Sequence, residues 1–237
     1  MPRRSRGYRV PVPAQPLVVV LDHGADDHGP LAQALTSAGA HVVVTADKRT
    51  ALVADGLVIA GRAPAADVMP ALRAIGADQV VDRRLAGGRA VLALGVGMHV
   101  MFTDVVRDGA VTEGLGEWAG VVDSVDAPPG EVAVQVPAGS ALFEGLDGAG
   151  FHLPDARAPR TFPLLDDWPA DTRLVVPLVT WSSGGERFVV AVENGPLVAL
   201  AVHPESSGPA GAAVLARWVS SLRPTAPGPI DAPGVTA

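Results

Sequence analysis

His203 and Glu205 are the side chains in this sequence whose types and spacing best fit catalysis. They stand in A-V-H-P-E-S-S-G, directly after an apolar run that ends at Val202. A carboxylate beside a histidine fixes the imidazole tautomer and supports the imidazolium, which makes such a pair the base half of a catalytic triad. A histidine at the end of a strand is also a common structural residue, so the pair alone leaves both interpretations open.

The stretch V-L-A-L-G-V-G-M-H-V, residues 91–100, has the pattern of a buried strand that turns into a helix. Enzymes mount nucleophiles at such turns, but this turn holds Gly95, which has no side chain. The sequence contains no cysteine, so disulfides, thiolate metal sites and thiol catalysis are excluded. The stretch therefore predicts the turn of an enzyme without its nucleophile.

Apolar, β-branched runs alternate with helical patterns through the first half of the chain, at residues 17–22, 41–45, 56–60 and 90–95. A helix is expected over residues 31–38, a weak one around Pro70, and another from Gly97 through residue 106. This alternation predicts an α/β fold with an open, mostly parallel sheet flanked by helices. Sites in such sheets lie beyond the carboxyl ends of the strands, where Gly95 and the stretch A-G-R-A (residues 60–63) both fall.

The second half changes to strand-like segments with turns between them, including an E-N-G-P hairpin turn at residues 193–196, and ends in an amphipathic helix at 211–222. This half predicts a mixed or antiparallel strand layer in the same domain, which we place at residues 16–223. Residues 1–15 are basic and Pro-rich, residues 224–237 are Pro/Gly-rich, and both segments are expected to be disordered tails.

Composition excludes several classes of protein. Hydrophobic residues make up 48% and charged residues 18%, which supports a sizeable core. The formal net charge is −7, and no basic stripe appears beyond the arginines before residue 10, so nucleic-acid binding has no electrostatic support. No apolar run reaches the roughly 18 residues of a membrane span, and no secretory signal is evident, so we expect a cytoplasmic protein with no membrane partner.

Several blocks together resemble one family. They are A-D-G-L-V-I-A-G, D-R-R-L-A-G-G-R-A-V-L-A-L-G-V-G-M-H, T-E-G-L-G-E-W-A-G-V-V and V-H-P-E-S-S-G-P. Over residues 17–222 the chain resembles the class I, triad-type glutamine amidotransferases, and more narrowly the actinobacterial form of the glutaminase subunit of imidazole glycerol phosphate synthase. The resemblance implies a part in histidine biosynthesis, in which ammonia from glutamine passes to a β/α-barrel cyclase partner in a heterodimer. No cofactor and no metal are implied.

The resemblance also implies site residues, and the sequence departs from the family at most of them. The family motif is similar to G-I-C-V-G-M-Q, so Gly95 takes the place of the nucleophile and His99 that of the glutamine. The oxyanion turn P-G-V-G becomes A-G-R-A, which assigns Gly61, Arg62 and Val96 to the oxyanion region. His203 and Glu205 remain as the rest of the triad. His99 and Glu113 remain as residues of the substrate pocket.

Further departures surround these residues. The family segment P-H-M-G-W-N is missing after Pro128, and D-Y-G-x-G-N becomes D-H-G-A-D-D at residues 22–27. The strand Y-F-V-H-S-Y becomes F-H-L-P-D-A-R, where Pro154 is expected to disrupt a central strand. Ser206 takes the place of a lysine after H-P-E. The framework pattern is kept while the presumed substrate pocket and cyclase-facing surface have changed.

Four functional hypotheses follow. Loss of a triad nucleophile costs about 10⁶-fold in rate, so the first is a subunit that is inactive as a glutaminase and still docks on the cyclase. The second is a repurposed binding or regulatory module without a cyclase partner. The third is a new enzyme built on His203 and Glu205 with His99 or His152, although these histidines lack a known metal-ligand spacing. The fourth is a decaying redundant copy.

Overall fold

The apolar runs of the first half form strands and the segments between them form helices, in a computed structural model that describes residues 15–127, 130–166 and 176–223. β-Branched residues favour strands because their side chains pack well on a pleated surface. The elements are β1 (Leu17–Leu21), α1 (Gly29–Ser37), β2 (His41–Thr45), α2 (Lys48–Val53), β3 (Gly56–Gly61), α3 (Ala65–Ile75), α4 (Ala77–Ala86) and β4 (Ala90–Gly95). The predicted alternation of strands and helices is confirmed.

The second half is richer in strands, as predicted. Its elements are α5 (Val96–His99), β5 (Phe102–Arg107), β6 (Ala110–Glu113), β7 (Trp118–Ser124), β8 (Gly130–Gln135), β9 (Gly150–Leu153), β10 (Arg157–Pro159), α6 (Pro163–Asp166), β11 (Leu178–Ser183), β12 (Val189–Asn194), β13 (Leu197–Leu200), a 3₁₀ turn (Pro204–Ser206) and α7 (Gly208–Ser221). The E-N-G-P turn joins β12 to β13 as an antiparallel hairpin. The last helix begins at Gly208 rather than Gly211.

The described strands form two sheets. The larger has nine strands in the order β2-β1-β3-β4-β13-β12-β11-β8-β9, and the smaller has four in the order β10-β7-β5-β6. From β2 to β13 the neighbours are parallel, and from β13 to β9 they are antiparallel. The predicted α/β class with mixed pairing in the second half is confirmed. Because β1, β3, β4 and β13 run parallel, the turns that follow them meet at one edge of the sheet.

The helix expected from Gly97 is wrong beyond His99, where α5 ends. The chain turns and continues as β5, which begins at Phe102. The ring of Phe102 is fully buried and its centroid lies 5.4 Å from Trp118 and 6.2 Å from Phe162. This aromatic cluster holds β5 beside β7, so tertiary packing decides the local structure here.

Helix α4 is absent from the sequence-based expectations, and it carries a fully buried arginine. The terminal nitrogens of Arg84 donate hydrogen bonds to backbone carbonyls that precede or begin the central strands, those of Ala51, Leu52, Ala54, Asp55 and Ala90. The carbonyls of residues 51–54 lie at the C-terminal end of α2, where a cation is favoured. Arg84 therefore ties α2, α4 and the start of β4 together.

Pro154 does not interrupt a strand. β9 ends at Leu153, directly before the proline, and β9 is the last strand of the larger sheet. The strand therefore stops at the proline as expected, but it is an edge strand and not the central strand that the sequence predicted.

None of the helices in the described ranges is both long enough and apolar enough to cross a bilayer. The expected tails, residues 1–15 and 224–237, lie outside the described residues apart from Gln15.

Candidate active site

Gly95 ends β4 and caps the amino end of α5 with φ 58° and ψ −120°. Residues that carry a Cβ rarely adopt this backbone conformation, and such positions cluster at functional sites. The following turn is equally tight, because a Cβ on Gly97 would overlap the carbonyl oxygen of Ile59. The sharp strand-to-helix turn predicted from the sequence is therefore present, and it offers no nucleophilic atom.

His203 and Glu205 lie beyond the carboxyl end of β13, next to the turn at Gly95. His203 Nδ1 is 2.8 Å from Glu205 Oε1, and the side chains are 4% and 6% exposed. The backbone N–H of His203 donates to the carbonyl of His152 at 2.9 Å, which fixes the start of the 3₁₀ turn. The two residues form the hydrogen-bonded pair that the sequence predicts, and a carboxylate so placed orients the imidazole.

The space for a nucleophile at Gly95 is filled. A Cβ built on this residue would overlap His203 Nε2 and lie 2.5 Å from the carbonyl oxygen of Gly61. Real Cβ atoms do not approach other atoms so closely, so His203 or the end of β3 would have to move before any side chain could be added. The imidazole therefore lies where the first carbon of any side chain at residue 95 would be.

The A-G-R-A turn at residues 60–63 binds a carboxylate from the turn after β1. Asp26 Oδ1 accepts hydrogen bonds from the backbone N–H groups of Arg62, at 3.0 Å, and Ala63, at 3.2 Å. These N–H groups precede α3, where a negative charge is favoured. The backbone donors of this turn are thus already bound to the carboxylate of Asp26.

Arg62 connects the turn at residues 60–63 to the pair formed by His203 and Glu205. Its Nη2 donates to Ser206 Oγ at 2.7 Å and lies 3.4 Å from Glu205 Oε1. Burial raises the pKa of Glu205, but the hydrogen bond and charge of His203, with the contact to Arg62, outweigh burial and hold this pKa below its ordinary value. Glu205 is therefore ionised at neutral pH, and its Oε2 is buried without a hydrogen-bond partner.

His99 and Val96 lie on α5 directly beside this cluster. Val96 and His99 are 4% and 3% exposed, and the side chain of Val96 packs against Gly61. Burial lowers the pKa of His99 to about 4, against the favourable charge of Asp155, so the imidazole is neutral at pH 7. Its Nε2 has no hydrogen-bond partner.

Glu113, in contrast, is not brought into the cluster. It ends β6, its side chain is 83% exposed, and its carboxylate lies 3.5 Å from Arg73 of α3. The structure therefore gathers Gly95, Gly61, Arg62, Val96, His99, His203 and Glu205 at one edge of the sheet and leaves Glu113 on the surface.

Two cavities flank the cluster. One of about 410 Å³ lies on the side of Asp26, His28 and Glu205, and one of about 290 Å³ lies on the side of His99, Asp155 and Arg157. Within the described ranges, no set of three His, Cys, Asp or Glu side chains is arranged to hold a metal ion.

Sequence reasoning did not assign Asp26 or His28 to the site. The signal was present in the sequence, because both residues belong to or directly follow the altered D-H-G-A-D-D segment. The sequence does not show that this turn folds onto residues 60–63. Asp26 accepts a hydrogen bond from the N–H of Arg62, which lies 36 residues further along the chain.

Known proteins match the chain closely over nearly its whole length. A HisH subunit of imidazole glycerol phosphate synthase from Thermobifida fusca is 45% identical over 213 residues, which cover 88% of this chain and 100% of that protein. The chain belongs to the HisH family. The HisH subunit from Nocardia farcinica is 43% identical and covers 86% of this chain and 98% of its own. No protein-family model matches the chain.

Solved structures agree with the HisH assignment at the level of the fold. The crystal structure of a glutamine amidotransferase superposes with a TM-score of 0.62, covering 86% of this chain and 98% of that one, at 18% sequence identity. The HisH-family chain described here thus keeps the amidotransferase fold around a strand-to-helix turn that holds a glycine.

Proposed function

We propose that this chain is a subunit of imidazole glycerol phosphate synthase that does not hydrolyse glutamine. The observation that carries the proposal is the overlap at Gly95, where a Cβ has no room beside His203 Nε2 and the carbonyl of Gly61. The nucleophile is absent, and the surrounding atoms occupy its place. Because covalent attack on the amide needs that nucleophile, its loss lowers the rate by about 10⁶-fold.

The oxyanion turn supports the same proposal independently. Asp26 occupies the N–H donors of Arg62 and Ala63, so a tetrahedral intermediate would meet a negative charge instead of free donors. Loss of a single oxyanion donor costs about 10²–10³-fold in rate. Two separate defects therefore oppose the same reaction.

We infer that the chain acts in a cytoplasmic heterodimer with a β/α-barrel cyclase, as membership in the HisH family suggests, and that the cyclase uses free ammonia. The remaining framework supports this inference, because β1 to β4, β13 and the turns at their carboxyl ends are all formed. The altered segments at 22–27 and after Pro128 are the features that would instead favour a module without a cyclase partner.

The test is co-purification with the cyclase subunit of the same organism, followed by measurement of cyclase turnover with glutamine and with ammonium salts. We expect a stable complex, turnover with ammonium, and no turnover with glutamine above the cyclase alone. The Thermobifida fusca HisH subunit with its own cyclase serves as the matched control for glutamine-dependent turnover.

Either of two results would contradict the proposal. Glutamine-dependent turnover would show that another nucleophile exists in the chain. Failure of the two proteins to associate would move the assignment to a repurposed module.

A further inference from the structure

Strand β2 forms one edge of the larger sheet, and no strand in the described part of the chain pairs with its outer side. The N–H of His41, the first residue of β2, donates to the carbonyl of Pro16 at 2.9 Å, so the backbone of His41 faces β1. Backbone groups point alternately to the two sides of a strand, so the N–H and C=O groups of Val42 and Val44 point away from the sheet. This edge therefore offers two donors and two acceptors to another strand.

The β2 edge lacks the features that keep sheet edges from pairing. Exposed edges usually carry a charged residue, a proline or a covering segment. Of the other described edges, β10 contains Arg157 and Pro159, and β6 ends at Glu113. In β9, the backbone N–H and C=O of His152 are bonded to the turn that follows β13. Strand β2 reads H-V-V-V-T, without a proline or an Asp, Glu, Lys or Arg, so its sequence does not oppose pairing.

Helix α1 packs beside β2 and extends the uncharged surface. Residues 29–46 are the longest stretch of the sequence without Asp, Glu, Lys or Arg, although such residues make up 18% of the chain. Gln33, Thr36 and Ser37 are exposed on α1. The hydroxyls of Thr36 and Ser37 donate to carbonyls of the same helix at 2.8 and 2.9 Å, so covering them leaves neither donor unsatisfied. Depletion of charge is typical of the centre of a protein–protein interface.

The charge of the chain favours a second copy as the partner on this surface. The formal net charge is −7, so two copies repel each other on average. Over residues 29–46 no like charges would meet, and a strongly charged partner would find no charge to pair with. Val44 is 42% exposed, and association would remove this apolar side chain from water.

We propose that two copies of this chain associate through their β2 edges, with the two strands antiparallel about a two-fold axis perpendicular to the sheet. Val42 of each copy then exchanges both backbone hydrogen bonds with Val44 of the other, which gives four hydrogen bonds. Val43 faces its own counterpart at the axis. The same operation places α1 of both copies on one face of the joined sheet, so the same patch serves both copies.

The size of this surface predicts a weak and reversible dimer. Strand β2 is about 17 Å long and helix α1 is about 14 Å long. A contact one strand and one helix wide at these lengths lies below the roughly 1,200 Å² of total buried area that stable interfaces reach. We therefore expect a dissociation constant between about 1 µM and 1 mM. The inference concerns the chain alone and does not depend on the proposed function.

Sedimentation velocity of the full chain alone, from about 1 µM to about 1 mM, tests the proposal. We expect monomer at the lowest concentration and a growing fraction of dimer above it. Val44→Lys places a charge opposite Val42 of the second copy and should weaken dimerisation by about tenfold or more. Val121→Lys is the matched control, because Val121 is a similarly exposed valine of the smaller sheet, at 49%, and gains the same charge. Its dimerisation should equal that of the unchanged chain.

A single cysteine locates the axis, because the chain has no cysteine of its own. The Cα atoms of residue 43 in the two copies should lie about 4.5 Å apart, as in an antiparallel pair without hydrogen bonds, which is a distance that a disulfide spans. Val43→Cys should therefore form a covalent dimer when dissolved oxygen oxidises the thiols. Val121→Cys at the same concentration should not.

Three results would overturn the proposal. One is a chain that stays monomeric over the whole concentration range. Another is a dimer that persists in Val44→Lys and is not cross-linked through Val43→Cys, because the contact then lies elsewhere. The third is loss of cyclase binding in Val44→Lys when the unchanged chain shows no self-association, which would assign the β2 edge to the cyclase. The sedimentation of the chain alone is thus separate from any result on the proposed function.

Discussion

The two ends of the central strands differ in how far their buried polar groups are hydrogen-bonded. At the amino end, the terminal nitrogens of Arg84 donate to five backbone carbonyls, although its Nε has no partner. At the carboxyl end, His28 Nε2, His99 Nε2 and Glu205 Oε2 are all buried without partners. A buried guanidinium with five hydrogen bonds to the backbone holds a framework together, whereas a cluster of buried atoms without partners does not add stability. Buried polar groups are therefore mostly hydrogen-bonded at the amino end of the central strands and cluster without partners at the carboxyl end.

The largest expected loss of stability is at the amino end of the central strands, where Arg84 lies. Arg84→Met removes the donors of five carbonyls and should lower the free energy of unfolding by about 3–5 kcal/mol. Arg83→Met, at an exposed residue of the same helix, should change it by less than about 0.5 kcal/mol. Urea denaturation followed by circular dichroism measures both. Equal effects of the two substitutions would mean that the Arg84 hydrogen bonds are not what holds this end.

A side chain added at the carboxyl end of the central strands should lower the free energy of unfolding slightly less than Arg84→Met does. Gly95→Cys places a Cβ against His203 Nε2 and the Gly61 carbonyl at φ 58°, so we expect a loss of about 2–4 kcal/mol and no glutaminase activity. Gly109→Cys is the control, because Gly109 has φ 80° with nothing within 4 Å of its added Cβ, and the backbone cost alone should be about 1 kcal/mol. Thermal denaturation and glutamine hydrolysis are the measurements. Restored hydrolysis in Gly95→Cys would show that the site opens readily.

The smallest expected effect concerns pH. His99 has a folded-state pKa of about 4 against an ordinary value of 6.5, because burial disfavours its charged form. Between these values the unfolded chain binds the proton and the folded chain does not, so stability is complete above pH 6.5 and falls as the pH drops toward 4. The loss is on the order of 2–3 kcal/mol, since one pKa unit corresponds to about 1.4 kcal/mol.

His99→Gln removes this titration. Denaturation at pH 7 and pH 4.5 should show a smaller loss of stability in the variant than in the unchanged chain. Burial and Asp82 raise the pKa of Glu117 to about 7, which acts in the opposite direction, but Glu117 is present in both proteins and cancels in the difference. Identical pH profiles would mean that His99 is protonated in the folded chain.

The strands of the first half could be predicted because their signal is local. The runs that form β1, β2 and β4 are continuous and β-branched or aliphatic, and their bounds match the structure within one residue. The segment after Gly97 could not be predicted, because the burial of Phe102 against Trp118 and Phe162 is a tertiary contact that overrides the local pattern. Helix α4 was missed for a related reason, since its buried face includes the charged Arg84.

The candidate site also has one part that the sequence predicts and another part that it does not. The pairing of His203 with Glu205 follows from their spacing and is present. The occupation of the Arg62 and Ala63 N–H groups by Asp26 depends on where one loop folds over another, and no local pattern carries that information. Glu113 lies on the surface because the β5–β6 hairpin directs its carboxylate to Arg73.

The position of the His203 imidazole has an evolutionary consequence. Some glycine codons become cysteine codons by a single base change, so the genetic route back to a thiol at residue 95 is short. The protein does not offer an equally short route, because the imidazole and the end of β3 already fill the volume that the thiol would need, and Asp26 fills the donors beyond it. A single Gly95→Cys substitution would place its Cβ against His203 Nε2 and the Gly61 carbonyl. The packing around Gly95 therefore opposes a change at residue 95 that the genetic code makes easy.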